Sequence, residues 1–369
     1  MVIGAGIAGL AAAIALDRSG FNVQVHERAA ALTPQGAALS LWPNAIAALR
    51  VLGAAARIEA EAAPIPALGA ADRTGRWIIA PVPVTRFAGC GAYLPTRALL
   101  QEVLLQVLGP NRVALGSEGW HHTDGVDLII DASGIWSERG SAITGTKPAP
   151  AGYSGILALS DPVASTPESL GLEYWGADER FGLFDVGHGR RYWFWIAGDR
   201  LHPTGFGREA ILERLQGWSA SAREAVQQTP PERLIPVAIN ARPPPRRLVH
   251  GATICVGDAG HAMEPNLGQG AAQGLEDAIA LLIAARSVEV AEIPALFERL
   301  RLARVRAVVA QSQQAALPVH GPQLLRGPMR MLLRAIPRGV NRAAVVKTHR
   351  WTPDLLARAK SLAPQAFPA

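Results

Sequence analysis

The feature that most constrains this chain stands at its beginning. Gly4, Gly6 and Gly9 are spaced G-x-G-x-x-G, directly after the apolar Met1 to Ile3 and before an alanine-rich stretch that reads as a helix to Ser19 and Gly20. Asn22 to His26 then reads as a second short strand that ends at Glu27, 18 residues beyond Gly9. Strand, glycine turn, helix, strand and acid form the fingerprint of a dinucleotide-binding βαβ unit in its required context. Glycine lets the backbone approach a pyrophosphate, the helix start offers free N–H groups and a positive dipole end, and Glu27 can accept from ribose hydroxyls.

A chain of 369 residues is too long for one ordinary core and predicts two domains with a helical extension. Apolar residues make up 49% and charged residues 18%, which excludes a disordered or coiled chain. The only cysteines, Cys90 and Cys255, lie far apart, so neither a disulfide framework nor a metal site is supported, and a reducing, cytoplasmic setting fits. The net charge of +6 is carried by arginine and crowds between Arg299 and Arg350. No nucleic-acid module accompanies it, so the basic residues read as solvated helix faces and no nucleic-acid partner is expected. The uncharged opening from Met1 to Leu16 lacks a basic flank and is short for a membrane span, so it reads as globular structure with no integral membrane segment.

Further along, Gly36 to Gly53 reads as a strand, a turn through Pro43 and Asn44, and a helix. Residues 63–92 alternate short apolar runs with Gly and Pro, as strands of a second domain do. Tyr93 to Gly109 places Thr96 as the N-cap of an amphipathic helix with Arg97 in its first turn. A cation there opposes the helix dipole, which suits an anion ligand better than a helix stabiliser. Val126 to Gly140 gives a buried strand running into a glycine-containing turn. Between 150 and 246 the chain is strand-like and aromatic, with Trp193 and Trp195 alternating against Tyr192, Phe194 and Ile196. Ala252 to Val256 is a final buried strand, followed by GDAGHAMEPNLGQGAAQGLEDA at 257–278 and a helical pattern to Ser312.

That late stretch repeats the logic of the beginning: a strand end, glycines, and a helix start open to an electron-rich group. Taken together, GxGxxG with Glu27, the Arg97 helix and GDxxHxMxPNxGQGxxxxxED resemble the FAD-dependent monooxygenases of the aromatic hydroxylase and zeaxanthin epoxidase group, over most of the chain. The resemblance implies an α/β fold: a Rossmann-like FAD domain from 1–62, 93–147 and 247–317, an α+β substrate domain from 63–92 and 148–246, and a helical tail at 318–369. It implies that Gly4, Gly6, Ala8, Gly9, Glu27, Arg28, Ala38, Arg97, Asp258, Pro265, Gly268, Gln269 and Gly270 hold non-covalent FAD, with Asp258 accepting from a ribityl hydroxyl. Pro265 and Asn266 would flank the isoalloxazine ring as the catalytic turn. Trp193 or Trp195 would line the substrate pocket. His261 reads as a turn or core histidine, and Glu276 and Asp277 as dipole partners in a first helical turn.

The resemblance also implies chemistry: reduction of FAD by NADPH or NADH, reaction with O2 to a flavin C4a-hydroperoxide, and transfer of one oxygen atom to a small hydrophobic substrate, aromatic or polyene. Two departures stand out. Asp131-Ala132-Ser133-Gly134 replaces the family's usual GADG, which bears on NAD(P)H, and Asn111 to Asp127 is short for the β-meander common there. Two other readings stand beside the monooxygenase: a flavin reductase or dehydrogenase on the same fold, and a non-catalytic FAD-binding protein whose basic tail meets a membrane or partner. A flavin halogenase fits less well, because Trp193 to Gly198 lacks the final Ile-Pro and no lysine precedes Lys147.

Overall fold

The computed structural model describes residues 1–32, 37–121, 123–162, 170–199 and 207–367. Among them, the strands form a six-stranded sheet, a seven-stranded sheet and a two-stranded ribbon. The six-stranded sheet is assembled from distant segments. β1 (Val2–Ile3) lies between β2 (Val25–Glu27) and β8 (Ile129–Asp131); β7 (Val113–Leu115) flanks β2, and β15 (Thr253–Cys255) flanks β8. All these neighbours run parallel, and only the outer β14 (Val249–His250) pairs antiparallel, with β15. Parallel strands end at one edge of a sheet. Gly4, Glu27, Asp131 and Gly257 therefore converge at that edge, where ligands bind in open α/β sheets.

Both faces of these short strands are covered. Val2, Val25, Ile130 and Ile254 are fully buried, and the helices around them are α1 (Ile7–Asp17), α2 (Pro43–Val51), α3 (Ala55–Glu61), α4 (Arg97–Leu108) and α9 (Gly270–Ser287). α1 is apolar all round, as a fully packed helix must be. It meets α9 closely because the contact is made of small residues: a Cβ added to Gly274 would lie 3.0 Å from the Cβ of Ala8. The expected strand before Pro43 is reduced to single bridges, Ala38 to Thr96 and Leu41 to Tyr93. Pro43 opens α2 rather than turning the chain, since its fixed φ suits a first helical position.

The seven-stranded sheet has the order β13 (Ile235–Ala241), β9 (Ala149–Leu159), β12 (Arg190–Gly198), β11 (Glu179–Gly187), β10 (Gly171–Trp175), β4 (Ala67–Asp72) and β5 (Trp77–Pro83). Only β10 and β4 pair parallel. Strand alternation gives it two apolar faces. Trp193, Trp195, Phe181 and Ile156 share one with Ile211 of α6 (Arg208–Arg214) and Ala222 and Val226 of α7 (Ala220–Gln227). Phe184 and Tyr192 share the other with Ala38, Trp42 and Leu94, beside the ribbon of β3 (Ala63–Pro64) and β6 (Tyr93–Leu94).

α5 (Glu138–Thr144) and the short α8 (Asp258–His261) follow β8 and β15, and α10 (Ile293–His320) runs back across α9 with Pro318 in its last turn. The residues beyond are no loose tail. α11 (Gln323–Ala335) and α12 (Arg338–Thr348) pack on β5, while α13 (Pro353–Leu362) packs on α9. Trp351, Leu355 and Ala359 belong to the core of the first sheet.

Candidate active site

The glycine turn and the late stretch meet in space. Gly4 (φ +103°) ends β1 under the DASG turn, where a Cβ would strike the Ala132 carbonyl at 2.4 Å. At Gly9 a Cβ would lie 1.9 Å from the Gly4 carbonyl, and at Gly257 (φ +56°) it would lie 2.6 Å from Ala8. These glycines are therefore required by packing. Gly6 and Gly270 differ: a Cβ on either meets nothing within 4 Å. Both face open space at helix starts whose first N–H groups lack intrahelical acceptors.

Charged side chains stand around that space. Glu27 accepts from the Ala5 N–H at 2.8 Å and the Ala29 N–H at 3.0 Å, which fixes it beneath the glycine turn. Thr96 caps α4 by accepting from the Leu99 N–H, and the Arg97 N–H donates to the Ala37 carbonyl. Gln101, one turn after Arg97 on the same face, donates to the Ala5 carbonyl at 3.0 Å and so brings that face of α4 to the glycine turn. Arg97 itself is exposed, as are Arg28 and Asp258. Among the described residues the open glycine turn, an acid beneath it and two separate exposed groups, Arg97 and Asp258, fit the shape and charge of FAD.

The turn at 265–270 is braced from three sides. Asn266 donates to Tyr153 Oη (2.9 Å), Glu264 Oε2 (2.8 Å) and the Ser312 carbonyl (2.9 Å), and accepts from Arg180 at 2.6 Å. Trp42 donates to the Leu267 carbonyl at 3.1 Å and lies under Gly268, whose φ of +59° is left-handed. Gln269 accepts from Asn44 and Gln273, each at 3.0 Å.

Behind Gln269 lies a fully buried charge network. Arg301 donates to Glu276 at 2.7 Å, to Asp277 at 2.8 Å and to Gln273 Oε1 at 2.8 Å, while Asn44 also donates to Glu276 at 2.7 Å. Asp277 accepts from the Gly257 N–H at 2.9 Å, and Nε2 of His261 lies 2.7 Å from it. Burial alone would raise the Asp277 carboxyl, but His261 and Arg301 outweigh it and hold the group down at about 2. The helix begins at Gly270, so Glu276 and Asp277 are buried ion-pair partners in its second turn, not dipole partners in its first. His261 is the buried core histidine the sequence suggests. Neither Arg301 nor Asn44 carries a motif of its own; the signals for them are the adjacent acids Glu276 and Asp277 on a largely apolar helix and Asn44 in the first turn of the mostly apolar α2.

Trp193 and Trp195 do not line this space. Both are fully buried on the far face of the sheet; Trp193 donates to Thr229 at 2.8 Å and Trp195 to Glu179 at 3.2 Å. The alternation holds, but the large aromatics Trp193 and Trp195 lie in the core, and the facing set is Phe184, Tyr192 and Phe194. Arg180 lies 5.5 Å over the Phe194 ring. Burial pushes the Tyr192 hydroxyl up, against the pull of Arg97 and Arg180, so it stays protonated as a donor. In the DASG turn, Ser133 donates its hydroxyl to Asp131 at 2.6 Å, and Ser137 donates to the other Asp131 oxygen at 2.5 Å. Fully buried Arg242 ties that turn down through the carbonyls of Ile135, Ser137 and Thr146.

Comparison with known proteins agrees with this geometry. Residues 1–124 match the family described as FAD binding domain. The aurachin C monooxygenase/isomerase of Stigmatella aurantiaca is 33% identical over 328 residues, covering 83% of this chain and 84% of that protein. The FAD-dependent urate hydroxylase of Klebsiella oxytoca is 30% identical over 356 residues, covering 88% and 91%. The structure of Klebsiella pneumoniae HpxO complexed with FAD and uric acid superposes with a TM-score of 0.81 at 26% identity, covering 94% and 96%. A salicylate hydroxylase shares the fold, at a TM-score of 0.74 and 23% identity. Relatives at 30% identity or more that match 83% and 88% of its residues make this chain a member of the FAD-dependent monooxygenases.

Proposed function

We propose that this monooxygenase inserts one oxygen atom of O2 into a small planar aromatic substrate, with NADPH or NADH as the reductant, in a reducing, cytoplasmic setting. The observation that carries the substrate class is the sheet face of Phe184, Tyr192 and Phe194, which shares a cluster with Ala38, Trp42 and Leu94. Three rings with offset or tilted neighbours favour a flat aromatic molecule over a long polyene. In this reading residues 1–62, 93–147 and 247–317 carry the cofactor, and 63–92 and 148–246 carry the substrate.

Bound FAD would supply electron transfer and oxygen activation, and the chain supplies position, dryness and charge. Gly6 would leave room for the pyrophosphate in a turn shaped by Gly4, Ala8 and Gly9, Glu27 would hold ribose with Arg28 beside it in sequence, and Arg97, next to the Ala38–Thr96 bridge, would meet the phosphate and ribityl region. Asp258 accepts from a ribityl hydroxyl. Pro265 to Gly270 would flank the ring, where the N–H groups at the start of α9 would favour negative charge. Arg180 ties this turn to the substrate sheet through Asn266, so cofactor and substrate share one rigid frame.

The test is turnover with candidate aromatics: substrate-dependent NAD(P)H oxidation, matching O2 uptake, and isotope-labelled oxygen in the product. The closed Ser133–Asp131 pairing favours a second reading, a flavin reductase. NAD(P)H oxidation that reduces an organic acceptor with no oxygen incorporated would establish that reading instead.

A further inference from the structure

α11 is amphipathic in the reverse sense of a packed surface helix. Two of its three arginines turn inwards: Arg326 donates to the Gly321 carbonyl at 2.6 Å and lies 3.3 Å from Asp178, and Arg330 donates to the carbonyls of Pro318 at 2.9 Å and Gly176 at 2.6 Å. Its apolar residues turn outwards: Leu324 is 89% exposed, Met331 74%, Leu332 64% and Leu325 53%. These four recur at helical spacing and form one continuous stripe. Leu333 anchors the inner side, beside Ile78, Trp175 and Val319 at the rim of the seven-stranded sheet. Water is a poor partner for such a stripe, and monomeric surfaces seldom carry one without an occupant.

The charge around it selects the occupant. From Arg299 to Thr352 the chain contains no Asp or Glu. Arg338, Arg342, Lys347 and Arg350, which follow α11 directly, are exposed. A second copy docked face to face about a twofold axis would set this acid-free segment against itself, with like charges opposed. An anionic lipid surface satisfies both features, because leucines enter the acyl boundary while cations meet headgroup phosphates. None of the described helices is long and apolar enough to cross a membrane, which fits a helix lying in the interface.

We propose that α11 and α12 form a docking surface for an anionic bilayer, with Leu324, Leu325, Met331 and Leu332 inserted and Arg338, Arg342, Lys347 and Arg350 against the headgroups. The experiment is co-sedimentation of the FAD-loaded full chain with phosphatidylcholine vesicles, with and without phosphatidylglycerol. Binding should be at least about tenfold tighter with phosphatidylglycerol and fall with salt. Leu324→Gln/Met331→Gln/Leu332→Gln should lose it about tenfold or more, with flavin content unchanged. Arg338→Gln/Arg342→Gln/Lys347→Gln should lose the preference for phosphatidylglycerol. No binding, or binding retained by the triple glutamine variant, overturns the proposal. So does a lipid-free dimer that this variant dissociates, which would make a second copy the occupant. Should the variant not fold, amide exchange in the wild-type protein decides: vesicles must slow exchange across Gln323–Ala335.

Discussion

Glu27 and Asp258 are two carboxylates at one sheet edge with different surroundings, and they should fail differently. Glu27 already accepts two backbone N–H groups, which leaves lone pairs on both oxygens for ribose hydroxyls. Glu27→Ala should weaken FAD binding by about 1.5 to 3 kcal/mol, the usual worth of hydrogen bonds to a charged group. Fluorescence titration measures this, and unchanged affinity would remove Glu27 from the site. Asp258 is exposed at the start of α8, with no protein donor among the described residues. Asp258→Ala should slow turnover even under saturating FAD, because a misplacement of about 1 Å at a reacting centre costs on the order of 100-fold. Full rate on simply adding FAD would reduce its part to retention. Both residues were legible in the sequence, since each sits where a short strand ends in a recognisable turn. Arg180 and Tyr192 were not, because alternation names two faces of a sheet and only the tertiary packing says which one meets Trp42 and the 265–270 turn.

At the scale of elements, the turn at 265–270 works as a pre-set part only because α2, α9 and α10 brace it. The chain order disclosed the strands and the long helices. It did not disclose where α9 begins, because Gly270 to Gly274 carries the poor helix former glycine at both ends, and tertiary contacts supply the missing turn. Nor could it show that the Glu276–Asp277 pair needs a cation 24 residues further along α10. The network makes a stability prediction. Arg301→Ala would leave two fully buried carboxylates without their shared guanidinium, and breaking one partner of such a group costs about 3 to 5 kcal/mol. Urea unfolding of the FAD-loaded protein should show that loss as a lower midpoint, together with weaker flavin binding, since Asp277 also holds the Gly257 N–H. A loss below about 1 kcal/mol, the level of an exposed ion pair, would mean that the network contributes little.

Across the whole molecule, buried His349 and His320, whose side chain is 5% exposed, join the C-terminal helices to Trp42 before α2 and to β9 of the seven-stranded sheet. His349 stacks on Trp42, with centroids 4.5 Å apart, and His320 stacks on Tyr153 at 4.3 Å. Burial, reinforced by Arg304, lowers His349 from 6.5 to about 3. Burial also lowers His320 to about 3, with Arg180, Arg326 and Arg330 around it outweighing its contact with Asp178. Both rings are therefore neutral in the folded protein across the range where the unfolded chain takes up protons. Above about pH 6.5 neither state is protonated and their contribution is complete; as pH falls below that value, the unfolded chain binds more protons and stability drops. Each histidine then contributes a slope of up to about 1.4 kcal/mol per pH unit, or about 2 kcal/mol between pH 7 and 5. Asp277, held at about 2, stays ionised throughout and adds nothing in this window. His349→Phe keeps a flat ring against Trp42 and cannot titrate, so its unfolding midpoint should fall less steeply from pH 7 to 5 than that of the parent. Denaturant titrations at several pH values give both slopes. Equal slopes would mean that His349 takes up its proton in the folded state, and that the joint between the C-terminal helices and the flavin turn is open to water.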